Sequence, residues 1–427
     1  MSLRSCLLAA CGLLPCLAIG ALWRVQPGPG TPLRSAIAAA APCDTLLIGP
    51  GRYAEGNILI DKPLTVIGVG EPQLDGEGLH EVLTLQADGI SLSGLVVQNS
   101  GRLSTLDVAG IKVLSCSEVS IRRNRVLNCN FGIYLSNVQD SEVAENEVIG
   151  NPAEEMNTGN GIHLWKCERI ALRRNRSLRH RDGIYFEFVT ASSVEENHSE
   201  SNIRYGLHFM FSHNDTYLRN CFRRNGSGVA VMYSHHVQMG QNSFEENWGA
   251  ASYGLLLKDI SDSHIWGNRF ASNTAAAYLE GSNRIVMEHN EFSQNGWALR
   301  VQASCTDNEV RDNHFSGNTF DVATNGHLSL NRFSRNYWDH YEGYDLGGDG
   351  TGDLPYYPVS LFSMIAEQMP PALLFVRSFA VYLLERMEKW IPSLTPAQLS
   401  DQQPRMRPDA LPRAAGAPFL SPSLPSQ

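Results

Sequence analysis

Val119-Ser120-Ile121-Arg122-Arg123-Asn124-Arg125-Val126, followed shortly by Gly132-Ile133-Tyr134-Leu135, is the stretch on which the fold reading turns. Its first part has the form apolar-x-apolar-x-x-Asn-x-apolar. It returns with Asn146, Asn175, Asn197, Asn220, Asn242, Asn268, Asn290, Asn313 and Asn331. Successive gaps are 22, 29, 22, 23, 22, 26, 22, 23 and 18 residues, so one supersecondary unit is repeated along most of the chain. The second part returns as Gly183-Ile184-Tyr185-Phe186, Gly206-Leu207-His208-Phe209 and Gly228-Val229-Ala230-Val231. Both parts have period two, the period of a strand.

Two repeat folds place an asparagine in such a unit. A leucine-rich repeat continues with a helical or looser segment, whereas here the continuation is Gly and then further alternation, giving two or three strands per turn. The expected fold is all-β: a right-handed parallel β-helix solenoid, its hand set by the crossover rule for parallel strands. The asparagine suits a corner, because it tolerates left-handed backbone and its amide can bond from coil to coil. Thr31 to Ala41 reads as a short N-terminal capping helix, with the strands starting at Asp44. Ala372 to Trp390, introduced by Pro370-Pro371, reads as a C-terminal helix, apolar nearly all round but too short to span a membrane.

The domain plan is therefore 1–20 signal peptide, 21–357 β-helix, 358–392 docking helix and 393–427 Pro-rich flexible tail. Arg4 followed by the apolar run Leu7 to Ile19 has the secretory layout. A retained anchor, or lipidation at Leu8-Ala9-Ala10-Cys11, are the other readings of that run. Cys43, Cys116, Cys129, Cys167, Cys221 and Cys305 follow the leader without CxxC spacing; disulfides are allowed but not required. Lys and Arg total 34 against 44 Asp and Glu, a net charge of −10, which argues against a nucleic-acid partner.

Strand alternation predicts which side chains face outward. His163 and Trp165, Tyr185 and Glu187, His208 and Met210, then Ala230 and Met232 fall on two adjacent outward ladders, with His213, His235, His236 and Met239 beyond them. A bland strand surface carries Thr, Lys or Glu, so this strip is an interface. Thioether, imidazole and one carboxylate suit copper, and His163, Glu187, His208, Met210 and Met232 are expected to share an ion transiently. A partner-docking patch or a saccharide-stacking face are the competing readings. Asp345, Asp349 and Asp353 in a Gly-rich loop are calcium candidates, although turns without metal suit the same residues.

The rival class is a polysaccharide lyase, hydrolase or epimerase acting on acidic sugars. Hydrolysis needs two carboxyls about 5 to 10 Å apart, while Asp182, Glu187 and Glu280 are spread along the rod, and Asp182 before Gly183 reads as a turn residue.

Gly159-Asn160-Gly161-Ile162-His163-Leu164-Trp165, Arg181-Asp182-Gly183-Ile184-Tyr185-Phe186-Glu187-Phe188, Tyr205-Gly206-Leu207-His208-Phe209-Met210-Phe211-Ser212 and Tyr253-Gly254-Leu255-Leu256-Leu257-Lys258-Asp259-Ile260 resemble the NosD family. The likeness runs from Leu74-Asp75-Gly76 to Asn336-Tyr337-Trp338-Asp339 and Leu394-Thr395-Pro396. That family matures the copper sites of nitrous oxide reductase in the periplasm of denitrifying bacteria. The resemblance implies a β-helix of the carbohydrate-binding and sugar-hydrolase class with no established catalysis. It also implies an inner-membrane ABC ATPase and permease as partners, a lipid-anchored copper chaperone as donor and apo nitrous oxide reductase as recipient. It assigns no copper ligands.

Overall fold

A computed structural model of the chain describes residues 20–102, 106–152, 158–326, 330–390 and 399–408. The signal-peptide segment falls outside them. Three parallel sheets wrap one core: the first has 14 strands, from Leu22–Val25 to Leu330–Ser334, the second 13, from Arg52–Tyr53 to Tyr337–Trp338, and the third 12, from Ile58–Ile60 to Phe320–Ala323. A representative coil runs Thr216–Leu218, Cys221–Arg223, Ser227–Met232, one strand in each sheet. At ~4.8 Å per coil the rod is on the order of 60 Å long. The right-handed parallel β-helix expected from the repeat is the fold observed.

Inward positions stack like on like. Phe222, Phe244, Phe270, Phe292, Phe315 and Trp338 form a continuous column with ring centroids 4.1 to 5.6 Å apart. The corner between the first and second sheets is held by the asparagines. Asn220 Oδ1 accepts from the backbone N–H and the Nδ2 of Asn197, while Asn220 Nδ2 donates to Asn242 Oδ1 and Val194 O. The buried Asn220 amide is therefore bonded to both neighbouring coils, as burial of polar groups demands.

Two details of the sequence expectation need correction. The left-handed residue at this corner is not the asparagine but the one before it: Arg123, Glu145, Arg174, Glu196, Arg219 and Gln241 have φ between 51° and 58°. Asn331 does not follow Asn313 in the ladder either. Asn313 Nδ2 donates to Asn336 Oδ1, and Asn331 instead receives Asn308 at another corner. A second asparagine ladder, Asn202, Asn225, Asn247, Asn273, Asn295 and Asn318, holds the corner between the second and third sheets. Its sequence signature is an asparagine five residues after Asn197, Asn220, Asn242, Asn268, Asn290 and Asn313.

Both ends are closed by this chain's own residues. At the start, α1 (Pro32–Ala39) buries Leu33 and Ile37, and the Glu55 carboxylate accepts the backbone N–H groups of Leu33 and Arg34. The strand Leu22–Val25 precedes this helix and pairs with Thr45–Ile48, so the first sheet begins earlier than Asp44.

At the far end the expected single helix is broken into α2 (Leu361–Gln368), a 3₁₀ turn (Pro370–Phe375) and α3 (Phe379–Trp390). Pro370 and Pro371 have no N–H to continue α2, and their fixed φ opens a new turn. α2 lies on the last strand of the third sheet through Phe362 against Phe320, and Glu367 takes both bonds of Arg300.

The Pro-rich tail is not uniformly loose. Residues 399–408 form a strap over the last coil, where the Asp401 carboxylate accepts from the backbone of Arg335 and Asn336, from Asn336 Nδ2 and from Trp338 Nε1. Asp401 takes the place that the next asparagine would fill.

Candidate metal-handling face

The outward side of the third sheet carries the two ladders. In the first, Lys112, Tyr134, His163, Tyr185, His208 and Ala230 are register partners on successive coils. Tyr134, His163 and Tyr185 stack with centroids 4.7 Å apart, and His208 meets Tyr185 edge-on at 5.1 Å. These rings point away from the core yet are no more than 9% exposed. His163 Nδ1 is engaged by Asn160 Nδ2 at 3.0 Å, and burial pushes this imidazole down to about 3. His163 and His208 are held apart by Tyr185, so they do not converge on one ion.

The second ladder runs Ser136, Trp165, Glu187, Met210, Met232 and Lys258. Here the structure does bring Glu187, Met210 and Met232 onto consecutive coils, half-buried and facing outward. Next along the chain comes the corner leading back to the first sheet. Phe188, Phe211 and Tyr233 stack there at 5.3 and 5.1 Å, and they are 44%, 38% and 43% exposed. Past the corner, single bridges join Thr190 to His213 and His235 to Ser261. His213 and His235 stack at 3.9 Å, and His235 Nδ1 lies 2.8 Å from His236 Nδ1. Burial first, and then the neighbouring imidazoles, lower the affinity of His213 for a proton.

The sequence behind this corner is a two-coil repeat, Met210-Phe211-Ser212-His213 and Met232-Tyr233-Ser234-His235-His236. The buried serines fix it: Val189 N–H donates to Ser212 Oγ and Ser212 N–H to Ser234 Oγ, both at 3.1 Å. Thioethers stand on one side of the exposed rings and imidazoles on the other.

Met239 is no part of the site. It is fully buried in the first sheet, in register between Tyr217 and Ile265, because the strand Gln238–Gly240 turns it inward. Asp345, Asp349 and Asp353 are occupied by turn amides: Asp345 accepts from Gly348 and Gly350, Asp349 from Thr351, and Asp353 from Leu346. Among the described residues, the six cysteines after the leader are unpaired thiols.

Asp182 is also not the turn residue expected. It opens the strand Asp182–Glu187, is fully buried, and takes both bonds of Arg204 at 2.9 and 2.5 Å, with His208 Nδ1 at 3.8 Å. Burial penalises its charge, but nearby His208 and the paired Arg204 outweigh that and hold the acid below the usual carboxylate range. The ladder thus contains a clustered Asp, Arg and His that spacing alone did not reveal.

A family model described as periplasmic copper-binding protein (NosD) matches residues 150–343. A Pseudomonas aeruginosa protein named probable ABC transporter binding protein NosD is 32% identical over 94% of this chain and 96% of its own length. The chain belongs to the NosD family. A Stutzerimonas stutzeri relative of the same name is 26% identical over 84% of this chain and 85% of that one. Among solved structures, the catalytic unit of an α-1,3-glucanase from Streptomyces thermodiastaticus shares the fold, with TM-score 0.55 and 12% identity over 76% of this chain and 66% of that one. The family match spans all of the Met, aromatic, Ser and His corner. Among the described residues no helix is long and apolar enough to cross a membrane.

Proposed function

We propose that this NosD-family chain is a periplasmic docking scaffold that passes copper to apo nitrous oxide reductase, associated with an ABC ATPase and permease at the inner membrane. A lipid-anchored copper chaperone supplies the ion. The observation that carries this reading is the Met-aromatic-Ser-His corner repeated on two coils. Met210 and Met232 supply thioethers, His213, His235 and His236 supply imidazoles, and Glu187 supplies one oxygen; this soft, open set suits Cu(I) in transit. A closed four-ligand site would keep the metal. The exposed aromatic column between the two donor types gives the recipient an apolar anchor.

The helical end fits the transporter partner. Leu374, Phe375 and Phe379 are 88%, 60% and 77% exposed on the 3₁₀ turn and α3, more apolar surface than water favours at one spot.

A sugar-active enzyme has one observation in its favour, the Asp182, Arg204 and His208 cluster. Both Asp182 oxygens are taken by Arg204, and among the described residues no second carboxyl shares its ladder position, so the cluster reads as a strut rather than an acid-base pair.

The test is Met210→Ala with Met232→Ala, in a reductase-maturation assay at limiting copper. Folding, read by circular dichroism, should be unchanged because both side chains face outward, while the reductase should emerge without its copper cluster. Full metallation by the double variant would remove this corner as the transfer site.

A further inference from the structure

Among the described residues, the last coil holds the group of Asp and His side chains whose ligand atoms come close together. Asp321 lies in the final strand of the third sheet, at the inner corner position where preceding coils carry Gly254, Ala276 and Ala298, as the flanking register pairs fix. A carboxylate there replaces a hydrogen or a methyl and is 4% exposed. Asp182, Glu367 and Asp312 meet guanidinium groups, from Arg204, from Arg300, and from Arg335 with Arg405, while Asp401 is held by amides and an indole N–H and Asp215 keeps one oxygen without a partner. Asp321 has no Lys or Arg partner among the described residues. Its Oδ2 accepts from Tyr356 OH at 2.7 Å and lies 3.2 Å from His340 Nδ1, and its Oδ1 is buried with no hydrogen-bond partner at all.

A second carboxylate completes the group. Asp339 lies 3.6 Å from His340 Nδ1, and one potential ligand atom from each of Asp321, Asp339 and His340 falls within 4.8 Å of the others. Asp321 meets His340 and Tyr356 through Oδ2 while its buried Oδ1 has no partner, so this carboxylate, with Asp339 close by, lacks a strong positive centre. Leaving such an oxygen without one is costly.

We propose that Asp321, Asp339 and His340 bind one first-row divalent cation, with Tyr356 orienting Asp321 from outside the coordination sphere. Two oxygens and one nitrogen suit Zn²⁺ or Cu²⁺ and do not suit Cu(I), so this site is chemically distinct from the thioether and imidazole corner. Tyr356 pairs with Asp401 in the strap that ends the asparagine ladder. A cation here therefore ties the final strand of the third sheet to the segment after the second and to the closing strap. The ion is resident and structural, and the proposal does not depend on copper delivery.

The experiment is a titration of chelator-stripped full-length chain with Zn²⁺, by calorimetry. It is repeated in a His213→Ala, His235→Ala, His236→Ala background, so that binding at the corner histidines is subtracted. One equivalent should persist in that background. It should weaken about a hundredfold or more in Asp321→Asn, and likewise in His340→Ala, whose side chain is half exposed and whose folding is safe. The Cu²⁺ form should give an electron paramagnetic resonance spectrum with coupling to a single imidazole nitrogen, and Zn²⁺ should raise the melting temperature of the background chain but not of His340→Ala. Absence of the persistent equivalent, or its retention at unchanged affinity in His340→Ala, overturns the proposal.

Discussion

Two corners of this rod share a backbone and differ in what they display. At the asparagine corner the left-handed residues are Arg123, Glu145, Arg174, Glu196, Arg219 and Gln241, and several pair across coils, as Arg174 does with Glu145 at 2.7 Å. At the corner leaving the third sheet the equivalent left-handed positions are Ser115, Asn137 and Lys166, then Phe188, Phe211 and Tyr233, then Asp259 and Gly281. Small and polar residues give way to three aromatics in the middle of the rod and then return. Left-handed backbone disfavours bulky side chains, and exposure of three rings in a row gains nothing in folding. One corner is stability, while the other combines left-handed backbone with exposed rings, the pattern in which local strain accompanies a functional place, as proposed for this corner.

Breaking the first corner should do the most damage. Asn220→Ala removes the acceptor for the backbone and side-chain donors of Asn197 and the donor to Val194 and Asn242, all of them buried. Leaving such groups unsatisfied costs roughly 1 to 3 kcal/mol each, so a loss of about 3 kcal/mol or more is expected in denaturant unfolding. A loss under about 1 kcal/mol would mean that water enters the corner and the ladder is not what holds it.

The repeat and its period were legible because an inward ladder needs the same residue type at the same place in each coil. Even the misassigned Asn331 announced itself: its gap of 18 breaks the spacing, whereas Asn313 to Asn336 restores 23. The outward face was less legible. Alternation places His163 and His208 outside the core, but neighbouring rings one coil away then bury them, and that depends on side chains stacking at 4.7 to 5.1 Å. Met239 follows the corner in sequence but takes its direction from its own strand, which turns it inward. The strap was illegible because its anchor is one residue, Asp401, in a segment with no repeat of its own. Asp321, Asp339 and His340 gave only a faint signal, an acid in a column otherwise filled by Gly and Ala.

A smaller effect separates the faces by pH. Burial holds His180 at about 4 and His163 at about 3, against an ordinary value of 6.5. Both stay neutral when folded and take up protons when unfolded as pH falls below 6.5. The unfolded state then binds more protons, so stability is complete above pH 6.5 and falls as pH drops toward 4. His180 has neither ring nitrogen hydrogen-bonded, and its backbone N–H already donates to Asn202 Oδ1 as a ladder asparagine would. His180→Asn should extend the second ladder and flatten the pH dependence by about 2 kcal/mol at pH 5. An unchanged pH profile in melting experiments would show that other groups set the acid limit.

The smallest effect on folding should come from Phe211→Asn, and it is the sharpest test of what the second corner is for. Phe211 has φ of 50° and is 38% exposed, and its rings above and below are equally exposed. Asparagine is among the residues that adopt left-handed backbone most readily, so the substitution relieves strain at the cost of two stacking contacts. The balance is expected within about 0.5 kcal/mol of zero, as for surface changes away from special features. Binding to apo nitrous oxide reductase, the recipient proposed for this column, should nonetheless weaken about tenfold or more, since an exposed aromatic at the centre of a contact is where binding energy concentrates. Parallel denaturation and surface-binding measurements decide between the two roles. Lost stability with intact binding would make the aromatic column a structural brace, and the two corners would then differ in composition without differing in purpose.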